Sequence, residues 1–334
     1  MAERERTYSA VVTAVERYLP DRIVTNSDLE KIIDTSDTWI RERTGIRERR
    51  ILDDQPTSFM AVTIAERLLR QRDVDPEEVD LIIVATVTPD MVFPATACLV
   101  QDRIGARRAW GFDLSAACSG FVYAVVTGSQ FIESGAHKSV MVIGVDKMSA
   151  ITDMEDRSTC VLFGDGGGGI LLERSEDPDV GLVDFDLHAD GSMGDDLYMK
   201  GGGSLHPASH ETVDKRYHFL RQNGRVVYKQ AIVKMAEVSL GLLERNGLTI
   251  QDLKLFIPHQ ANLRIINATA RRMNLPSEKL VVNIDKFANT TAGTVPIALH
   301  EAWAQGRLER GDLVQLTAVG GGLTWGSLLL RWAY

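Results

Sequence analysis

Hydrophobic and polar positions alternate along this chain between two regimes. Val79-Asp80-Leu81-Ile82-Ile83-Val84-Ala85-Thr86-Val87, residues 109–114, Val140-Met141-Val142-Ile143-Gly144-Val145, Leu253-Lys254-Leu255-Phe256-Ile257 and residues 313–319 are nearly unbroken apolar runs. Runs of that length without a polar face predict strands buried on both sides, as in a parallel sheet. Between them the apolar period lengthens to that of a helix. Residues 57–71 predict an amphipathic helix and 95–104 a short one; Phe121, Val125, Ser129 and Ile132 fall on one face of a third, which Gly135 ends. Residues 7–16 predict a first strand, Asn26-Ser27-Asp28-Leu29-Glu30 a capped helix start, and the glycine-rich 164–169 a tight turn into a strand. Strands alternating with helices predict an α/β fold.

The second half repeats the order of the first. A strand at 81 leads to the helix after Cys118 and then to the strand at 140; a strand at 255 leads to the helix after Asn289 and then to the strand at 313. The glycine-rich 164–169 finds a counterpart in Gly320-Gly321-Gly322. This predicts two fused βαβ units related by a pseudo-twofold axis, residues 1–180 and 181–334. Residues 173–224 are polar and glycine-rich, read as loop with a strand near 180–188. The duplication would set Cys118 and Asn289 at equivalent helix N-termini that face each other.

Composition narrows the function. Net charge is −9 over 334 residues, which disfavours a general nucleic-acid or anionic-membrane role. Cys98, Cys118 and Cys160 are too scattered for a disulfide framework or a zinc pair, so a reduced, cytoplasmic setting is expected and no metal. The charged start Met1-Ala2-Glu3-Arg4-Glu5-Arg6 is not a secretory signal, and no run approaches the roughly 20 apolar residues of a membrane span.

The chemistry centres on Phe112-Asp113-Leu114-Ser115-Ala116-Ala117-Cys118-Ser119-Gly120-Phe121. A cysteine at a helix N-terminus has its thiolate stabilised by unpaired N–H groups and the macrodipole, which lowers its pKa and makes it a nucleophile. A buried structural thiol fits the same local pattern. Pro258-His259-Gln260-Ala261-Asn262 places a histidine at the end of a strand, a position for chemistry or for a hydrogen-bonded core residue. Asn289 alone would be a helix cap. Trp39 with Arg41, Arg43, Arg47, Arg49 and Arg50 reads either as a solvated helix end or as an edge that stacks on a base and pairs with phosphate. Cysteine, histidine and asparagine in one cleft admit papain-like hydrolysis or carbon–carbon bond formation on thioesters. The papain signature around the cysteine is absent and the duplicated strand–helix order does not suit that fold. In the thioester chemistry the cysteine carries an acyl group, while His and Asn hydrogen bonds stabilise an enolate formed by decarboxylation.

Several motifs in order carry a resemblance: Asp34-Thr35-Ser36-Asp37-Thr38-Trp39-Ile40, Arg43-Thr44-Gly45-Ile46-Arg47-Glu48-Arg49, Ala116-Ala117-Cys118-Ser119-Gly120-Phe121, Phe163-Gly164-Asp165-Gly166, His188-Ala189-Asp190-Gly191-Ser192, Pro258-His259-Gln260-Ala261-Asn262-Leu263-Arg264, Asn289-Thr290-Thr291-Ala292 and Gly320-Gly321-Gly322-Leu323-Thr324-Trp325-Gly326-Ser327. The chain resembles the β-ketoacyl-acyl-carrier-protein synthase III family of the thiolase-like superfamily. That resemblance implies duplicated halves in a layered α-β-α-β-α arrangement. It implies Cys118 as the acylated nucleophile, His259 and Asn289 as enolate-stabilising donors, and the N–H groups of Cys118 and Gly321 as the oxyanion hole. It places Trp39, Arg43, Arg157 and Asn262 on CoA, and Phe93 in the acyl pocket of the partner subunit of a homodimer. Arg264, Arg271 and Arg272, on one face of the helix after His259, would dock an acidic acyl-carrier protein. Cys98 and Cys160 would be packing residues. The implied reaction condenses an acyl-CoA primer with malonyl-acyl-carrier protein and starts fatty acid synthesis, with acyl-CoA as substrate and no cofactor. A polyketide-making or acyl-transferring relative of the same fold is the alternative. Ala288, Gln222-Asn223-Gly224-Arg225 and the stretch 201–217 depart from the family pattern and bear on which acyl group is used.

Overall fold

The computed structural model describes residues 7–334; the charged start, read above as no secretory signal, lies outside the described residues. The apolar runs fold into two sheets. Strands β1 (Ser9–Tyr18), β2 (Leu81–Ala85), β3 (Trp110–Leu114), β4 (Ser139–Asp146) and β5 (Gly166–Ser175) form one, in the order β1-β5-β4-β2-β3. Strands β6 (Gly181–Ala189), β7 (Leu255–Pro258), β8 (Leu313–Gly320) and β9 (Thr324–Arg331) form the other, in the order β6-β9-β8-β7. In the first, β5 runs antiparallel to both β1 and β4, while β2 is parallel to β4 and β3. In the second, β9 is antiparallel to β6 and β8, and β7 is parallel to β8. Beside β7, Leu280 makes a parallel bridge to Phe256, and the Val281 N–H donates to the Phe256 carbonyl at 3.0 Å. That rudiment stands where β3 stands in the first sheet.

The helices are α1 (Asp37–Thr44), α2 (Thr57–Arg72), α3 (Thr96–Ile104), α4 (Gly120–Glu133), α5 (Gly224–Arg245), α6 (Leu263–Arg272) and α7 (Thr294–Ala304), besides shorter turns. Successive strand residues point to opposite faces. Leu81, Ile83, Val140 and Val142 share a core with Leu255, Ile257, Val314 and Leu316, and between them lie Phe121 and Val125 of α4 and Val295 and Leu299 of α7. The alternate residues Ile82, Val84, Met141 and Ile143 pack on α2 and α3 outside. Phe256, Leu313 and Leu329 pack on α5 and α6 on the opposite side. The layers therefore run α-β-α-β-α. Strands covered on both faces need apolar residues at every position, which is why the runs at 81, 140 and 313 lack alternation. Helix α4 is buried beyond its expected face, at Val122, Ala124 and Val126 too, because a sheet lies on each side of it.

Two expectations change. Residues 109–114 were expected as a buried strand, but β3 is the edge of its sheet and only half-buried, with Trp110 47% exposed. Its apolar residues Trp110, Phe112 and Leu114 alternate with Gly111 and Asp113, the pattern of a one-sided strand. The glycines of 164–169 were expected in a turn, but Gly166–Gly169 lie within β5. Gly168 allows close approach to α7, since a Cβ there would lie 3.0 Å from Pro296, while a Cβ on Gly167 would lie 2.7 Å from Val145 of β4.

Glycine substitutions test this packing. On Gly144 of β4 a Cβ would lie 2.6 Å from the Ala292 carbonyl oxygen, whereas on Gly241 of α5 it would meet nothing within 4 Å. Gly144→Ala is expected to destabilise the fold by about 1–3 kcal/mol through overpacking. Gly241→Ala is expected to stabilise it by ~0.5–1 kcal/mol through helix propensity. Urea unfolding midpoints at unchanged slope check both signs.

Candidate active site

The carboxyl ends of the parallel strands in both sheets face one cavity of about 690 Å³. Strand β3 enters it through a single 3₁₀ turn, Ala117–Ser119, that runs directly into α4. Ala117 has φ 46°, a left-handed conformation that is strained for alanine and makes the turn sharp enough to present Cys118. The second half has the same turn, Thr291–Gly293, with Thr291 at φ 50°, running into α7. Ala117 thus matches Thr291, and Cys118 matches Ala292. The expected equivalence of Cys118 and Asn289 is offset, because Asn289 stands ahead of the turn at the place of Ser115. Cys118, His259 and Asn289 nevertheless all line the one cavity.

Each is held differently. The Asn289 N–H donates to the Leu162 carbonyl at 3.0 Å, and its carbonyl accepts from the Gly164 N–H at 3.1 Å. Its side-chain Oδ1 accepts the Thr291 N–H at 2.8 Å, which leaves the Nδ2 donors for the cavity. His259 follows β7 directly; its N–H donates to the Thr317 carbonyl at 2.8 Å, and its Nδ1 lies 2.6 Å from Thr294 Oγ1. Burial pushes its imidazole pKa down to about 3, so the ring is neutral at physiological pH. Cys118 is also buried, and this overturns the expected lowering of its pKa. Loss of solvent, followed by the charge of Asp146, pushes the thiol up to about 12. The helix N-terminus does not outweigh desolvation in so closed a site. Cys118 therefore rests as a thiol.

Asp146, which no sequence reading singled out, explains the asymmetry between the two turns. The parallel registers Leu81↔Val140 and Leu255↔Val314 place Asp146 of β4 and Gly320 of β8 at the same point of their sheets. One Asp146 oxygen accepts from Thr86 Oγ1 at 2.9 Å and from the Val87 N–H at 2.8 Å; the other accepts from Thr291 Oγ1 and from the Ala292 N–H at 3.3 Å. A carboxylate thus occupies the amide cradle of the second turn. At the first turn the matching N–H belongs to Cys118, and Gly320 leaves it uncovered: a Cβ there would lie 2.8 Å from the Cys118 nitrogen. Gly321 lines the cavity beside it. An open amide cradle at the base of a nucleophile is what an oxyanion requires. The signal available beforehand was a lone aspartate ending an otherwise apolar strand.

The mouth is polar. Ser36 caps α1 by accepting the Trp39 N–H at 3.2 Å, and Trp39, Arg43 and Asn262 line the entrance. The Arg157 guanidinium lies 4.2 Å above the Trp39 ring. Asn262 caps α6 by accepting the Arg264 N–H at 2.8 Å and donates through Nδ2 to the Arg43 carbonyl at 3.0 Å. The ribbon Leu197–Met199 with Leu220–Gln222 walls the cavity with Met148, Ile151 and Phe163; of these only Gln222 and Phe163 lay in stretches singled out from the sequence. Arg216 and Arg221 pair with Asp153 and tie this ribbon down, the Arg221 contact at 2.9 Å.

Other expected residues fall outside the cavity. Phe93 is 81% exposed in the loop before α3 and does not reach the cavity of its own chain. Arg264, Arg271 and Arg272 are exposed along α6; Arg264 lies 5.6 Å from the Tyr228 ring at the rim, and Arg272 pairs with Glu237 at 3.2 Å. Cys160 is buried as expected, but Cys98 is exposed and not a packing residue, since it lies on the solvent side of α3. Among the described residues no cluster of three or more His, Cys, Asp or Glu could hold a metal ion.

Residues 112–191 match the model for 3-oxoacyl-[acyl-carrier-protein] synthase III, and residues 243–332 match its C-terminal model. The β-ketoacyl-[acyl-carrier-protein] synthase III of Chlorobaculum tepidum is 55% identical over 97% of this chain and 99% of that protein. The chain belongs to the 3-oxoacyl-[acyl-carrier-protein] synthase III family. The enzyme of that name from Chlorobium luteolum is 54% identical, again over 97% of this chain and 99% of its own length. The crystal structure of 3-oxoacyl-[acyl-carrier-protein] synthase III from Aquifex aeolicus is 47% identical, covers 97% of this chain and 100% of that one, and superposes with a TM-score of 0.89. Cys118 falls in the first matched segment, and His259 and Asn289 in the second.

The low pKa of His259 has a consequence for stability. Unfolding returns the ring to its ordinary pKa near 6.5, so between about pH 6.5 and pH 3 the unfolded chain binds a proton that the folded chain does not. Stability contributed by the neutral ring is complete above that window and is lost as pH falls through it. The stability difference between wild type and His259→Gln should therefore move in favour of the variant as pH drops from 7 to 4. Unfolding free energies at each pH check this; a difference independent of pH would contradict it.

Proposed function

We propose that the chain takes an acyl group from acyl-CoA onto Cys118 and condenses it with malonyl-acyl-carrier protein. In the first step the sulfur of Cys118 attacks the thioester carbon, the carbon–sulfur bond to CoA breaks, and the cysteine proton ends on the released CoA thiol. The oxyanion sits on the N–H groups of Cys118 and Gly321. In the second, malonyl-acyl-carrier protein loses carbon dioxide; the electron pair of the broken carbon–carbon bond becomes an enolate held by His259 and Asn289. The enolate carbon attacks the acyl-cysteine, giving 3-oxoacyl-acyl-carrier protein and returning the thiol after protonation. This is the initiating condensation of fatty acid synthesis. The observation that carries the reading is the convergence of a buried thiol beside an open amide cradle with two neutral donors in one cavity. Retention of both donors favours condensation over simple acyl transfer, which would not need the pair.

The mouth supports the binding side of the proposal. Trp39 and Arg157 would hold the adenine end of CoA, and Arg43 and Asn262 would line its path inward. Arg264 and Arg271 would receive an acidic carrier protein at the rim, with Arg272 joining by exchange of its Glu237 partner. Met91, Val92 and Phe93 form an exposed apolar tip that a second subunit would bury, with Phe93 walling the partner's acyl pocket in a homodimer. The matching order of the two sheets supports two equivalent units meeting near residue 180. Three free cysteines fit a cytoplasmic setting, and among the described residues no helix is long and apolar enough to cross a membrane.

Two experiments test the reading. Cys118→Ser should abolish stable labelling by radioactive acyl-CoA, while His259→Ala and Asn289→Ala should still acylate and lose malonyl decarboxylation by about 100-fold or more. Loss of acylation in all three would refute the division of roles. Arg264→Glu with Arg271→Glu should raise the KM for malonyl-acyl-carrier protein and leave loading from acyl-CoA intact; equal loss of both steps would exclude a docking face.

A further inference from the structure

We propose that the hydroxyls of Ser119 and Thr324 are a positioning pair that holds the Gly321 N–H in place beside the Cys118 N–H. This rests on the reading that those two N–H groups receive the oxyanion. Ser119 Oγ and Thr324 Oγ1 lie 2.7 Å apart, although the residues are 205 positions apart in the chain. Ser119 directly follows the nucleophile and ends the first turn; Thr324 opens β9, directly after the loop that joins it to β8. Gly320-Gly321-Gly322 has no side chains with which to fix itself, so its hold on the nucleophile has to come from a flanking residue. The Leu323 carbonyl accepts the Asp190 N–H at 2.8 Å, which ties the loop to the end of β6 but not to Cys118. Thr324 Oγ1 supplies the second tie. It lies 3.1 Å from the Ala116 carbonyl and 3.2 Å from the Gly321 carbonyl, and Ser119 Oγ lies 2.8 Å from the Ala116 carbonyl. At 2.7 Å the two hydroxyl oxygens need a proton between them. Whichever hydroxyl gives it, the remaining hydroxyl proton goes to one of those two carbonyls. Every arrangement therefore joins the turn that carries Cys118 to the loop that carries Gly321, and none of them uses the Cys118 or Gly321 N–H.

Comparison of the two halves shows that the fold does not need hydroxyls at this point. The registers Asp146↔Gly166 and Gly320↔Thr324 make Gly166 the counterpart of Thr324, and the matched turns make Gly293 the counterpart of Ser119. There backbone meets backbone: a Cβ on Gly293 would lie 2.7 Å from the Gly166 carbonyl oxygen. That turn is pinned instead by Asp146, which accepts from Thr291 Oγ1 and the Ala292 N–H. A carboxylate cannot do the same for the first turn, because it would fill the cradle that the oxyanion needs. Two neutral hydroxyls pin the first turn, leave the cradle open and add no charge beside it. The requirement is geometric. The two oxyanion donors come from opposite halves of the chain, and a hydrogen bond weakens steeply as its donor swings out of line.

The test compares two reactions of Cys118 in the full-length protein. Acylation passes through an oxyanion; the probe is acetyl-, isobutyryl- or octanoyl-CoA, whichever loads the wild type fastest. Alkylation by iodoacetamide forms no oxyanion: the sulfur bonds to the methylene carbon, iodide leaves, and the thiol proton goes to water. Mass spectrometry of the Cys118 peptide separates its alkylation from that of the exposed Cys98. Thr324→Val, of the same shape without the hydroxyl, should lower the maximal rate of acylation about tenfold or more, short of the roughly 10²–10³-fold for outright loss of an oxyanion donor. Its KM for acyl-CoA and its alkylation rate should stay within about twofold of wild type. Thr324→Ser should restore acylation. Ser119→Ala should lower the ratio of acylation to alkylation by roughly threefold, as for one hydrogen bond, and adding it to Thr324→Val should cost nothing more. A merely structural role would slow both reactions together. An unchanged ratio in Thr324→Val would overturn the proposal; if that variant fails to fold, an unchanged ratio in Ser119→Ala would do so. A wild type that alkylates at Cys118 but takes no acyl group from any of the three thioesters would overturn the functional reading, and this proposal with it.

Discussion

The structure depends on one buried carboxylate. Asp146 ends a strand of the first sheet, is wholly inaccessible, and accepts hydrogen bonds from Thr86, Val87 and Thr88 on its own side and from Thr291 and Ala292 of the second half. Burial raises its pKa, while the ring of donors opposes that rise. A carboxylate so placed is tolerable only when its lone pairs are filled, and it then specifies a single arrangement of everything that fills them. What it specifies is the turn before α7. Thr291 is held in a left-handed conformation, and Thr291 in turn supplies the N–H that orients Asn289.

From that anchor the two halves acquire opposite jobs. The second turn has its amide cradle filled from within by Asp146, so it serves as a rigid mount for donors. The first turn faces Gly320, has its cradle open, and carries the thiol. The proposed condensation needs that asymmetry, since an occupied cradle cannot hold an oxyanion and an unfilled one is less firmly fixed. The electrostatics agree. A protonated thiol, a neutral imidazole and a carboxamide put no formal charge on the reacting surface, and a low-dielectric pocket magnifies the dipoles that remain. Charge is kept at the mouth, where arginines beside Trp39 can meet phosphate in water.

How much of this could be read beforehand follows from where side-chain periodicity carries information. Strands covered on both faces announce themselves as apolar runs, so the positions of Leu81, Val140, Leu255 and Leu313 in the layered fold were legible. The edge strand at Trp110 was misjudged because its alternation is short and interrupted by glycine. That Cys118, His259 and Asn289 share one cavity was legible, because Cys118 and His259 each follow a strand and precede a helix and the repeated order points Asn289 at Cys118. The pKa of Cys118 was not, since local sequence reveals the helix N-terminus but not the two layers of protein that strip water from the thiol. Asp146 was missed for a related reason: its importance lies in contacts across the two halves, with Thr291 and Ala292, at a separation that no local pattern encodes.

The same offset relates Cys118 to Ala292, Gly320 to Asp146, and His259 with Thr294 to Ala85 with Gly120. At each of these places one half carries a small residue and the other a reactive or polar one. Small residues let the helices α4 and α7 start close to the opposing backbone, as the near contact of Gly144 with the Ala292 carbonyl illustrates. Polar replacements at the matching points fit because the scaffold spacing is already set by that close packing. Function has thus been added by filling alternate members of a symmetric set of positions, and the constraint on each filled position is its unfilled twin. A larger side chain at Gly320 or Gly120 would not merely crowd the core; it would cover the Cys118 N–H in one case and displace the start of α4 in the other. Stability and reactivity meet at these glycines, so the packing of the core and the geometry of the reaction are set by the same contacts.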